Sequence, residues 1–422
     1  MSAAVSPTDR LPLQPWMTAP ETQAVLAALG AGGAELRFVG GCVRDAVAGR
    51  PIGDIDIATP EPPELVIRRL EEAGLKAVPT GIDHGTVTAV ARGRPFEVTT
   101  LRRDVETFGR RARIAYTDDW REDAARRDLT INALSCTPEG RLYDYFGGLE
   151  DLAEGRVRFV GDPRQRIAED RLRLLRFFRF MAWYGRDGAD PGGLAAAIAA
   201  APELAQLSGE RIQGEMLKLL SAPNPAQALA LMAEGGVLGH AMLSRFSLRR
   251  LAALIEAEAI AGFPADPVRR LGALLDEGEA GVRRVAERWR LANADRDRLL
   301  ATAAADLALS PGMPPQALRR ALYRVGSARW PDLVLAAWAE ALAEGRAGAP
   351  KGWIELLTMP ERWTPPTLPV KGRDLVKLGL PPGPEIGDLM AKLEAWWIEE
   401  DFAPDRQACL DWAARRTGRP GP

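Results

Sequence analysis

The residues with the clearest chemical potential lie in one short run, Ile52-Gly53-Asp54-Ile55-Asp56-Ile57-Ala58. Successive side chains alternate in an extended strand, so Asp54 and Asp56 share one face while Ile55 and Ile57 point to the core. Two carboxylates at that spacing repel each other unless a cation sits between them. Hard oxygen donors with open positions beside them suit Mg2+, which favours carboxylates completed by substrate phosphates. Two such ions, about 3.5–4 Å apart, stabilise both the attacking and the leaving oxygen of a displacement. An exposed acidic strand carries the same pattern, so the pair needs company before it marks a site.

That company is present. Upstream stands Phe38-Val39-Gly40-Gly41-Cys42-Val43-Arg44-Asp45, a strand end, a double glycine and a helical start. Gly41 lets the backbone approach a phosphate, and Arg44 can grip a phosphate oxygen. Downstream, Glu97 alternates with Phe96 and Val98, which puts it on a polar face as a candidate third catalytic carboxylate. In Arg126-Arg127-Asp128-Leu129-Thr130-Ile131-Asn132, the polar residues 127, 128 and 132 are placed on one helix surface. Arg127 there suits a phosphate, and Asp128 or Asn132 a ribose hydroxyl. Finally, Asp170, Arg173, Arg176 and Arg179 step by three and form a polar ridge along a helix. Eight arginines against three acids between positions 156 and 179 give that stretch a strong local positive charge.

These residues must be held by elements, and the pattern of elements changes along the chain. Residues 1–20 read as a loose arm, and a short helix follows over 21–29. Near-alternating, β-branched runs at 35–39, 52–58, 86–91 and 96–101 read as strands, with helical spacing at 62–72. Beyond 150, runs at 166–183, 193–201, 209–220, 225–234, 248–261 and 282–306 have helical length and 3.6-residue spacing. The expectation is an α+β chain: a small mixed-sheet head at 21–150, then an all-α neck (151–235), body (236–360) and tail (361–422). At 422 residues the chain exceeds the ~250–300 at which a single core stops growing. No run reaches the ~18 apolar residues of a membrane span. Cys42, Cys136 and Cys409 form neither a disulfide framework nor a zinc spacing, so a cytoplasmic protein is expected. A net charge of −2 argues against a surface coated for nucleic acid, yet 49 of the 55 basic residues are arginine, whose planar fork suits phosphates and base edges.

As an ordered set the motifs resemble the class II tRNA nucleotidyltransferases, the CCA-adding enzymes and bacterial poly(A) polymerases. The set comprises GG-x-VRD at 40–45, D-x-D at 54–56, RRD-x-T-I-N-A at 126–133, D-x-F-GG-x-x-DL at 144–152, ED-x-x-R at 169–173 and Ser208-Gly209-Glu210-Arg211-Ile212. The resemblance implies a nucleotidyltransferase head in which Asp54 and Asp56 bind two Mg2+ ions. Gly41, Arg44 and Arg127 would then hold the triphosphate or sugar of CTP or ATP. Asp170 and Arg173 would read the base without a template, supported by Arg176 and Arg179. Cytosine and adenine both offer an amino donor beside a ring-nitrogen acceptor, which a carboxylate beside an arginine can match and uracil or guanine cannot. The implied reaction adds C, C and A to the 3′ end of tRNA with release of pyrophosphate, with no membrane and no obligatory protein partner. The segment 102–117, with Asp104, Glu106, Gly109, Arg110, Arg111 and Arg113, matches a flexible loop of the family.

Two departures stand out: Leu129 replaces the more usual Phe, and neither His84 nor His240 is followed by Asp, so the family's optional metal-phosphohydrolase domain is not expected. Poly(A), CC-only or A-only addition shares the head motifs. An acidic rather than arginine-rich segment at 385–405 favours a reader of tRNA shape.

Overall fold

A computed structural model describes residues 9–108, 111–186, 188–304 and 309–417. The chain divides into two compact units, one of residues 1–244 with 284–291 and the other of 245–283 with 292–422.

The first unit is built on a mixed sheet. Its strands are β1 (Asp9–Arg10), β2 (Arg37–Val39), β3 (Asp56–Thr59), β4 (Lys76–Gly81), β5 (Thr86–Ala91) and β6 (Arg94–Thr100), a separate hairpin β7 (Arg102–Phe108) and β8 (Arg111–Tyr116), and then β9 (Ser135–Cys136) and β10 (Arg141–Tyr143). Eight strands run in the order β1-β10-β9-β2-β3-β6-β5-β4. Every neighbouring pair is antiparallel except β3 and β6, which run parallel with Asp56 beside Glu97. Alternation explains the pleat: Val87, Ala89, Ala91, Phe96 and Val98 are buried while Glu97 is exposed on the opposite face. A turn with Arg92 at φ 50° and Gly93 at φ 81° joins β5 to β6, matching the twist of a tight hairpin.

Helices of the same unit carry the rest of the site. The segment Gly41–Val47 follows β2 directly, Leu172–Tyr184 buries Leu174, Leu175, Phe177 and Phe178, and Gly209–Leu220 buries Ile212, Met216 and Leu219. In the second unit, one buried cluster centres on Trp330, Trp338 and Trp353, with the rings of Trp338 and Trp353 stacked 5.9 Å apart. Another centres on Leu375, Leu393, Trp397 and Cys409.

The α+β class with a mixed-sheet head and helical remainder is as expected, but several local expectations are corrected. The arm is not loose throughout: Asp9–Arg10 pairs with β10, and Pro15–Thr18 is helical. The strand at 52–58 begins only at Asp56, so Asp54 lies in the approach to β3. The helix of 166–183 is two helices, Pro163–Glu169 and Leu172–Tyr184, because Asp170 is extended at φ −150°. Asp170 therefore stands off the polar ridge, at its head. Arg127, Asp128 and Asn132 do not share a regular helix; a turn after Trp120–Ala125 leads into a 3-10 segment, Thr130–Asn132. The run 282–306 breaks at Arg290, which has φ 58°. The segment matched to the family's flexible loop, 102–117, carries the paired strands β7 and β8. The side chains singled out there, Asp104, Glu106, Arg111 and Arg113, and the residues Gly109 and Arg110 lie outside the described residues.

Candidate active site

A cleft of about 930 Å3 opens along the face of β3 and β6 that carries the acidic side chains. It is lined by all twelve residues named as candidates from the sequence: Asp54, Asp56, Glu97, Gly41, Arg44, Arg127, Asp128, Asn132, Asp170, Arg173, Arg176 and Arg179. The strand register brings Asp56 and Glu97 side by side, and Asp54 precedes Asp56 by one alternation. Burial, then the neighbouring Glu97 charge, and further Asp54, push the Asp56 carboxyl up to about 6 against the pull of Arg127 and Arg44. Among the described residues, no arginine or lysine forms an ion pair with Asp54, Asp56 or Glu97.

The opposite wall is cationic, and its arginines are held in fixed poses. Gly40 turns out of β2 at φ 69°, and a Cβ there would lie 2.7 Å from Arg127 Nη1, so only glycine fits the turn. Arg127 Nη1 donates to the Asn132 carbonyl at 3.2 Å. Arg44 grips Asp45 through two bonds of 2.9 Å and donates from Nη1 to Asn132 Oδ1 at 2.6 Å. Its guanidinium also lies 4.7 Å from the centre of the Tyr184 ring and 5.0 Å from that of Phe180. Asp128 is buried yet charged. It accepts from Leu129 N, from Asn132 Nδ2 at 3.0 Å and from Arg176 Nε at 2.5 Å. The Arg176 charge leads these partners in overcoming desolvation, and the Asp128 carboxyl falls to about 2.

Further along, Asp170 Oδ1 accepts at 3.1 Å from the N–H of Leu172, the first residue of the helix that follows. Both Asp170 oxygens accept from Arg211 Nη2, at 3.0 and 2.7 Å. Arg173 donates to Glu169 Oε2 at 2.6 Å and to the carbonyls of Arg166 and Arg126, each at 3.1 Å. Arg179 lies 2.9 Å from Glu215, and Arg176 3.8 Å from the same carboxylate. In sum the cleft presents eight arginines and Lys218 against six carboxylates.

Sequence reasoning did not single out several lining residues: Asp45, Thr86, Thr99, Arg102, Arg126, Phe180, Trp183, Tyr184 and Lys218. Arg211 entered only as a motif member; its partner Asp170 lies 41 residues away, beyond the reach of local spacing. Phe180 and Tyr184 stand one helical turn apart, a signal that helix periodicity could have supplied.

A carboxylate group on a mixed sheet, facing an arginine-lined cleft closed by helices, defines a nucleotidyltransferase. A family model described as the Poly A polymerase head domain matches residues 36–158. A second, described as a probable RNA and SrmB-binding site of polymerase A, matches 190–243. The chain is 36% identical over 383 residues to the CCA tRNA nucleotidyltransferase 1, mitochondrial, of Danio rerio, covering 89% of this chain and 86% of that one. It is 32% identical over 397 residues to the CCA-adding enzyme of Geobacillus stearothermophilus, covering 91% and 94%. The crystal structure of the Bacillus stearothermophilus CCA-adding enzyme in complex with CTP superposes with a TM-score of 0.75 at 28% identity, over 94% of this chain and 97% of that one. The chain belongs to the family of CCA-adding tRNA nucleotidyltransferases and their poly(A) polymerase relatives.

Proposed function

We propose that the chain adds C, C and A to the 3′ end of tRNA from CTP and ATP, without a template and with release of pyrophosphate. The observation that carries this reading is the single cleft that joins the Asp54, Asp56 and Glu97 carboxylates to the Asp170–Arg173 head of the helix beyond.

The donor set fits a divalent cation. Its atoms are carboxylate oxygens only, and burial, with the Glu97 and Asp54 charges, raises the Asp56 carboxyl in spite of Arg127 and Arg44. Among the described residues no group of three His, Cys, Asp or Glu is placed to hold an ion by itself. Asp54 and Asp56 would hold two Mg2+ ions, and those ions would supply charge stabilisation to the transferring phosphoryl group. Gly41, Arg44 and Arg127 would hold the triphosphate, with Arg127 braced against the Gly40 turn and the Asn132 carbonyl. Asn132 and Asp128, both lining the cleft, would receive a ribose hydroxyl. Asp170 Oδ2 accepts one bond from Arg211 and keeps a lone pair for the exocyclic amino group of C or A. Arg176 and Arg179, tied to Asp128 and Glu215, stiffen that wall. The RNA 3′-oxygen bonds to the α-phosphorus as the bond to pyrophosphate breaks, and positioning with fixed charge accounts for the catalysis.

We further divide the chain into a head (21–150), neck (151–235), body (236–360) and tail (361–422); the buried cores centred on Trp330–Trp353 and on Trp397–Trp412 lie on either side of the last boundary, with Trp363 packing on the first and Tyr323 on the second. No helix among the described residues is long and apolar enough to cross a membrane. Three buried, unpaired cysteines accord with a cytoplasmic setting. The test is direct: tRNA lacking its terminal CCA, incubated with CTP and ATP, should gain three nucleotides of that order. Long A tracts on unstructured RNA would instead establish the poly(A) activity named in the family description.

A further inference from the structure

In-line phosphoryl transfer requires the entering and leaving oxygens on opposite sides of phosphorus. The sheet turns that rule into a direction. Gly40, Gly41 and Arg44 follow β2, on one flank of the paired Asp56 and Glu97, and hydrogen bonds tie Arg44 and Arg127 to Asn132 on that same flank. If the triphosphate leaves towards β2, the acceptor must arrive across β6 and β5. On that flank, two residues beyond Glu97 on the same face, stands Thr99, and the antiparallel register sets Thr86 of β5 directly opposite it. The two Oγ1 atoms are 3.2 Å apart, and both residues line the cleft. One bond between two hydroxyls uses one proton, so the pair retains a donor and acceptor lone pairs for a ligand. Arg102 lines the cleft just past the end of β6, and its backbone N–H is fixed by buried Asp123 at 3.2 Å.

We propose that the Thr86–Thr99 hydroxyl pair, with Arg102 beside it, receives the terminal ribose and phosphate of the acceptor RNA. The inference rests on the nucleotidyltransferase reading above. It assigns the β6–β5 edge to RNA and leaves the incoming nucleotide to the β2 side.

The experiment compares wild type, Thr86→Val/Thr99→Val and Thr86→Ser/Thr99→Ser in single-C addition to a tRNA transcript lacking CCA. Valine keeps the branched shape that suits a strand and removes only the hydroxyls. The valine pair should raise KM for tRNA about tenfold, the weight of two lost hydrogen bonds, while KM for CTP stays within twofold. The serine pair should restore the wild-type value. An unchanged KM for tRNA, a parallel rise in both KM values, or failure of serine to restore would each overturn the proposal. Wild type run alongside separates the two readings: absence of C addition by the unaltered chain would remove the function itself, not this assignment alone.

Discussion

Two arginine clusters, one in each unit, use the same side chain to opposite ends. In the second unit Glu258 accepts from Arg269 at 2.9 Å and Arg270 at 2.8 Å. Asp332 accepts two bonds from Arg298, at 2.5 and 2.7 Å, and Asp266 takes a third from Arg298 at 2.9 Å while capping the helix Pro267–Leu274. Three cations meet three anions there, and Glu258, Arg269, Arg270 and Asp332 are buried. In the cleft of the first unit the charges are sorted instead of matched. Arginines hold to Asp45, Asp128, Asp170 and Glu215, whereas among the described residues Asp54, Asp56 and Glu97 take part in no ion pair. Matching serves the fold, because a buried ion pair costs desolvation that only close partners offset. Sorting leaves an electrostatic demand that a triphosphate and its metal would meet.

The comparison breaks most visibly on two carboxylates. Asp56→Ala should lower nucleotide addition by at least about a thousandfold, with tRNA binding in a filter assay nearly unchanged. Retained addition would remove Asp56 from the site. Asp332→Ala should do the reverse. Leaving Arg298 and Arg269 without their shared partner costs about 3–5 kcal/mol, so the melting temperature should drop by roughly 10 °C while kcat at 20 °C holds. A loss of kcat without a loss of stability would show that the second cluster is not a structural one.

How much of this contrast was legible in the sequence depends on the range of each interaction. Asp56 and Glu97 were legible because strand alternation is local and apolar neighbours on both sides fix the facing, while Asp54 lies in the approach to β3 rather than in the strand. Their meeting was not, since the parallel register of β3 on β6 is a contact across some forty residues with a helix and two strands between. The break at Asp170 was hidden for a related reason. Apolar spacing continues from Ile167 through Leu174 and Phe178, and no Pro or Gly interrupts it. The extended backbone there goes with a carboxylate drawn to Leu172 N and to Arg211, a tertiary contact that outweighs helix periodicity. Strand β1 carries no hydrophobic pattern at all. Only its backbone pairing with β10, and the bond from Leu11 N to the Gly140 carbonyl, reveals it.

A finer test sharpens what the sorted charges select. Arg173 is fixed by two carbonyls and Glu169 at the head of the base-facing helix. Arg173→Ala should narrow the preference for CTP over UTP by roughly tenfold to a hundredfold, the weight of one or two specific hydrogen bonds. KM for triphosphate should shift less than that ratio. Equal losses for all four nucleotides would assign Arg173 to holding the neck rather than to reading the base.

The smallest effect asks whether Asp56 is a strained group awaiting a cation. Its carboxyl sits at about 6 when folded, against about 3.9 in an unfolded chain, chiefly through burial and the Glu97 charge. A raised acid binds its proton more tightly when folded. Its contribution is therefore full below pH 4, shrinks as pH climbs through 6, and leaves a penalty of order 2–3 kcal/mol above that. At pH 7.5 in EDTA, Asp56→Asn should then melt about 5 °C above wild type, and at pH 4 the two should coincide. Adding Mg2+ at pH 7.5 should raise the wild-type melting temperature and close most of the gap, because the ion neutralises the charge that burial opposes. If the variant melts no higher than wild type in EDTA, the three carboxylates are already at ease with one another. The cleft would then resemble the matched cluster of the second unit, and the distinction between sorted and matched charge would fail at its most sensitive point.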